Sequence, residues 1–135
     1  MRQHRIRSFA LVALVLTPCW GCGSGLGGGG AAISLLPVKG KVTYNGKPLS
    51  SGVIYFERDG YGRPATGKLQ SDGTYTLGTL KDGDGVVAGT HLVTLGNFDK
   101  ALAKDRTLAK YATAKSSGLT AQVDSEHTEF NFDLK

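Results

Sequence analysis

Beyond residue 22 this chain has no cysteine. Both cysteines, Cys19 and Cys22, fall in the first 22 of 135 residues. The remainder must therefore fold without a disulfide framework, and zinc, which takes about four Cys/His ligands, finds no second cysteine pair. A thiol-free domain suits an oxidising compartment, but many cytosolic domains also lack cysteine, so the compartment has to be read elsewhere. Long apolar runs are missing as well. The longest, Phe9 to Leu16, has eight residues. Eight helical residues rise about 12 Å against roughly 30 Å of bilayer hydrocarbon, so this run cannot cross a membrane as a stable helix.

A large surplus of one charge is absent too, once its source is located. Lys+Arg number 16 against 11 Asp+Glu, a net +5, and three of the positive charges are Arg2, Arg5 and Arg7. Without those three the balance is 13 to 11, a net +2, which is no electrostatic footprint for nucleic acid. No serine sits in a G-x-S-x-G elbow, and His4, His91 and His127 form no pair at ligand spacing. With no nucleophile–base constellation, the expectation is a protein that is not an enzyme and needs no cofactor or metal.

What is present begins with a leader. Met1 to Arg7 is positively charged and Phe9 to Leu16 is apolar, the two regions of a secretory signal. A buried core helix is a poor alternative, because arginines precede the run, glycines follow it and it has no amphipathic face. The stretch that follows, Cys19-Trp20-Gly21-Cys22, resembles the lipidation site of bacterial lipoprotein signals. Gly21 supplies the small residue before the cut and Cys22 the cysteine after it. Cys19 and Trp20 depart from the pattern, standing where such signals carry Leu and a small residue. The expectation is cleavage between Gly21 and Cys22 and lipidation of Cys22, with ordinary signal-peptide cleavage and a secreted product as the alternative.

Two other motifs overlap this region. Cys19 to Cys22 has C-x-x-C spacing, but a redox pair needs a strand before it and a helix after it. Gly23-Ser24-Gly25-Leu26-Gly27-Gly28 matches G-x-G-x-x-G, but it lacks the flanking strand, the helix and the downstream acid of a dinucleotide site. Six glycines between 23 and 30 instead read as a flexible tether. The fourteen residues 23–36 give a reach of about 20 Å.

From Val38 the pattern is short strands and turns. Val38, Gly40, Val42 and Tyr44 share a face by alternation, and Asn45-Gly46 is a tight-turn signal. Gly52 to Phe56 is apolar on both faces and so belongs in the middle of a sheet. Ala65 to Gln70, Thr74 to Leu77, Thr90 to Leu95, Leu119 to Val123 and Phe130 to Leu134 complete seven strands in about a hundred residues. Gly78 to Gly89 reads as a long loop, and its Asp82-Gly83-Asp84-Gly85 run as a solvated turn with too few oxygens for calcium. Residues 98–112 favour helix, with Asn97 or Asp99 placed to cap, and read as one or two loose turns in a long loop that is the first place to look for a binding surface. The expected core is Val42, Ile54, Phe56, Tyr75, Leu77, Val93, Leu95, Phe130, Phe132 and Leu134. His91 falls on the inward face of its strand, where a packed, hydrogen-bonded histidine is the ordinary finding.

The order of these motifs carries a resemblance. Val38-Lys39-Gly40-Lys41-Val42-Thr43, then Gly46-Lys47-Pro48-Leu49, Asp72-Gly73-Thr74-Tyr75-Thr76-Leu77 and Gly89-Thr90-His91-Leu92-Val93-Thr94-Leu95 resemble carboxypeptidase regulatory-like β-sandwich domains. The chain from about residue 8 onward is similar to small lipoproteins of planctomycete bacteria. That resemblance implies an all-β fold, a seven-stranded Greek-key-type β-sandwich like transthyretin (prealbumin). The implied organisation is a signal peptide at 1–21, a lipidated Cys22 with a Gly-rich tether over 22–36, and the β-sandwich over 37–135. It also implies a non-catalytic module anchored in the cell-envelope membrane through lipid such as palmitate, at the outer membrane or periplasmic face. Its partners would be an envelope protein or a polysaccharide, not nucleic acid. The alternative is a secreted carbohydrate- or protein-binding module, for which Tyr55, Tyr61 and Phe98 would need to cluster on one exposed face.

Overall fold

A computed structural model describes residues 33–60 and 62–135. The leader, Gly21, Cys22, the tether up to residue 32 and Tyr61 lie outside the described residues.

The domain is mostly strand. Each of the seven expected segments forms one: β2 (Lys39–Tyr44), β4 (Val53–Glu57), β5 (Ala65–Lys68), β6 (Thr74–Thr76), β8 (Gly89–Gly96), β9 (Leu119–Val123) and β10 (Glu129–Leu134). The expected total of seven needs correction. Three two-residue strands, β1 (Leu35–Leu36), β3 (Lys47–Pro48) and β7 (Val86–Val87), bring the described residues to ten strands in three sheets. Two-residue strands are too short to alternate, which is why pattern alone passes over them. The stretch read as loop between Gly78 and Gly89 thus contains β7. Leu35 and Leu36, in the stretch read as tether, are its antiparallel partners.

One sheet has the order β5-β4-β8-β9, antiparallel throughout. β4 and β8 are its inner strands, as two-sided apolar character requires of β4. The second sheet is built on β2. Along one edge β2 pairs in parallel with β10, and along the other it pairs antiparallel with β6 and then β3. The β2–β3 hairpin turns at Asn45 and Gly46, both at positive φ (50° and 77°), the geometry a tight hairpin turn demands.

The two four-stranded sheets face each other through aromatic side chains. Phe56 of β4 meets Tyr75, Phe130 and Phe132 of the opposite sheet with ring centroids 6.4, 5.8 and 6.2 Å apart. These tilted and edge-on contacts suit the ring quadrupole. Around them close Val42, Ile54, Leu77, Val93, Leu95, Val123 and Leu134, all fully buried. Phe130 and Phe132 are half-buried and pack against this core.

Candidate functional site

An open groove of about 1060 Å³ is formed where residues of the β2 sheet meet β5. Alternation puts Gly40 and Val42 inside the domain and turns Lys39, Lys41 and Thr43 outward into the groove. The cross-strand register then builds rows. Lys39 lies between Glu129 and Thr76, and Lys41 between Asn131 and Thr74. Thr66 and Lys68 of β5 and Asp82 from the turn between β6 and β7 add to the wall. None of Lys39, Lys41 and Lys68 is in an ion pair; the pairs among the described residues are His127–Asp124 and Lys135–Asp133. The lining thus sets ammonium, hydroxyl, amide and carboxylate groups among a larger apolar surface to which Val53, Tyr75 and Phe132 contribute.

The walls are held by local chemistry. Asp72 accepts from the backbone N–H and the hydroxyl of Thr74 at 3.0 and 2.6 Å, tightening the turn at Gly73. The Thr74 hydroxyl, then its N–H, with a smaller contribution from Lys41, hold the Asp72 carboxyl below its ordinary pKa. Asp84 serves the neighbouring turn, accepting from the N–H groups of Thr79, Leu80 and Lys81 at 2.7, 3.1 and 2.9 Å. Desolvation raises its pKa, but those N–H bonds together outweigh it and the net shift is downward. The acidic run over 82–85 is therefore a self-capped turn. Its best-placed carboxylate is spent on backbone donors.

No protein-family model, curated protein or solved structure matches this chain.

The segment 98–112, expected to form loose turns, is docked. Asp99 accepts from the N–H groups of Ala101 and Leu102, so it rather than Asn97 is the capping residue. Asn97 sits at positive φ and donates to the Tyr55 hydroxyl at 2.7 Å. After a 3-10 turn at Leu102–Lys104, Asp105 caps helix α1 (Arg106–Ala109) through the N–H of Thr107, and it also accepts from the Tyr44 hydroxyl at 2.7 Å. That hydroxyl, followed by the Thr107 N–H, depresses the Asp105 pKa. Leu108 is fully buried and Tyr111 nearly so, both within the main core. Their i, i+3 spacing puts both on one face of the helical segment. Leu108→Ala is accordingly expected to cost about 2–5 kcal/mol in urea unfolding, as for a core leucine. A change below about 0.5 kcal/mol, the scale of a surface substitution, would mean the segment is peripheral.

Of the aromatic residues expected to cluster, the two that are described are half-buried. Tyr55 is half-buried with its hydroxyl engaged by Asn97, and Phe98 is half-buried over Gly52, where an added Cβ would stand 2.8 Å from the ring. Tyr61, the third member of that expected cluster, lies outside the described residues, as do Gly21 and Cys22. His127 is exposed and pairs with Asp124 at 2.8 Å within the β9–β10 turn. The His127 side chain is the first cause of the lowered Asp124 pKa, followed by its backbone N–H.

Proposed function

We propose that this chain is a non-enzymatic, lipid-anchored protein of the bacterial cell envelope, whose β domain makes structural or protein-interaction contacts. The observation that carries the proposal is Gly21-Cys22 at the end of a basic, then apolar leader. Acyl chains buried at roughly 0.8 kcal/mol per CH₂ hold such an anchor firmly when more than one is attached, so the domain itself need not bind membrane. Gly23 rather than Asp follows the cysteine, which favours delivery away from the inner membrane, to the outer membrane or its periplasmic face.

In this reading the domain is a carboxypeptidase regulatory-like, transthyretin-type Greek-key sandwich. The order of the Val38–Leu49, Asp72–Leu77 and Gly89–Leu95 motifs supports it. The groove, with Lys39, Lys41 and Lys68 beside Val53, Tyr75 and Phe132, supports contact with an envelope protein or a polysaccharide. It offers hydrogen-bonding groups of both signs on strands that pay little ordering entropy.

The test is metabolic labelling in a diderm bacterium. Wild-type protein is expected to take up labelled palmitate and fractionate with membranes, and Cys22→Ser to lose both properties. Uptake by the Cys22→Ser variant, or none by the wild type, would sink the anchor assignment.

A further inference from the structure

His91 lies on β8 with its ring in the core and only 3% of the residue exposed. Its Nε2 lies 2.8 Å from the Val87 carbonyl. A carbonyl can only accept, so Nε2 carries the proton and the neutral ring's Nδ1 is left as an acceptor. That Nδ1 is buried and has no hydrogen-bond partner. Protonating it would place a charge inside the domain, which is costly without a counter-charge.

Among the described residues no carboxylate acts on it. From β4 it meets the Phe56 ring, centroids 5.9 Å apart. From β9 its register partner is Ala121, and from β7 it meets Val87. The charged group acting on it is Arg58, directly after β4, of the same sign as an imidazolium. Burial pushes the His91 pKa down and Arg58 adds to that, while the Val87 carbonyl and the Phe56 backbone oppose the shift and are outweighed.

The carbonyl that His91 holds belongs to β7, and Val87 is the register partner of Leu35 in β1. β1 leads the described chain into the domain, and two residue pairs hold it to β7. We propose that His91 is an acid-operated latch: its protonation frees β7 from the core and, with β7, the N-terminal strand β1. A charged ring is stable only when it reaches water, and on leaving the core it takes the donor away from Val87. β7 yields before β4 and β8 because it spans two residues against their five and eight. The sign follows from linkage. The open form takes up a proton near the ordinary imidazole value of about 6.5 while the closed form refuses it. The closed form therefore weakens as pH falls through that value, and the loss levels off once the closed form itself protonates. Under the anchor proposed above, opening lengthens the stalk; the latch itself does not depend on that anchor.

Amide exchange of the full chain, expressed as protection factors at pH 7.5 and 5.0, tests this. The amides of Leu35–Leu36 and Val86–Val87 are expected to lose about tenfold or more in protection, within the limit of tenfold per pH unit for one proton. Those of β4 and β8 are expected to change less than about twofold. His91→Gln keeps a donor for Val87 and cannot titrate, so its protection is expected to be flat across the same range. The latch is overturned if wild-type β1 and β7 show no loss, if His91→Gln shows the same loss, or if β4 and β8 lose protection equally. Imidazole nitrogen shifts of the wild type give a check that needs no variant. Titration of His91 near pH 6.5 with β7 protection intact also overturns it. None of these readings changes if palmitate labelling fails, so the two proposals stand or fall separately.

Discussion

Gly40→Ala is expected to leave little folded protein. Gly40 sits in β2 between Phe130 of β10 and Tyr75 of β6. A Cβ at this position would stand 1.8 Å from the Phe130 carbonyl oxygen and 2.7 Å from the Tyr75 hydroxyl. No rotamer change relieves contact with a backbone oxygen, so β10 would have to leave β2. The Tyr75 hydroxyl, which donates to that same carbonyl at 2.7 Å, would lose its acceptor. Burial, with the Glu129 charge adding to it, holds this phenol protonated well above its usual range, so it remains a donor in need of a partner. Overpacking usually costs 1–3 kcal/mol, and a clash with sheet backbone together with an orphaned buried donor raises that to about 4 kcal/mol or more. For a domain whose total stability is of order 5–15 kcal/mol, that consumes most of it. Far-UV circular dichroism with a urea titration checks the point. A cooperative transition within about 1 kcal/mol of wild type, well inside ordinary mutational scatter, would mean β10 does not lie against Gly40.

Phe56→Ala is the second large effect, expected to cost about 3–5 kcal/mol. Phe56 is fully buried and touches four rings: Tyr75, Phe130 and Phe132 across the two sheets and His91 within its own. Its removal loses the transfer energy of the ring and opens a cavity between two sheets that cannot close independently. Phe56→Leu refills most of that volume and is expected to recover more than half of the loss. If Phe56→Ala and Phe56→Leu were equally mild in guanidinium unfolding, the aromatic cluster would not be the joint between the sheets.

These two residues also show where the sequence is legible and where it is not. Phe56 declares itself: it lies in a run apolar on both faces, and such a run belongs in the middle of a sheet, where β4 indeed sits between β5 and β8. β10 shows equally clean alternation, and Asn45-Gly46 names its own hairpin. Gly40 does not declare itself, because its constraint comes from β10 lying in parallel register ninety residues later in the chain. No local pattern encodes that partner. The same reason hides the groove: Lys39, Lys68 and Glu129 belong to three strands far apart in sequence, and only pairing makes them neighbours. Leu108 and Tyr111 were visible as an i, i+3 pair in a helix-favouring stretch, but two apolar positions are too few to show that they reach the main core. His91 was legible as inward-facing; that its second nitrogen is left without a partner depends on Val87 and the packing around it.

The central claim is that this domain is presented from a membrane through Cys22, and the mature protein's own N-terminus tests it most directly. Mass spectrometry of the protein isolated from membranes is expected to find an N-terminal peptide that begins at Cys22 and carries added acyl mass. A mature chain that starts elsewhere, or starts at Cys22 with no added mass, would contradict it.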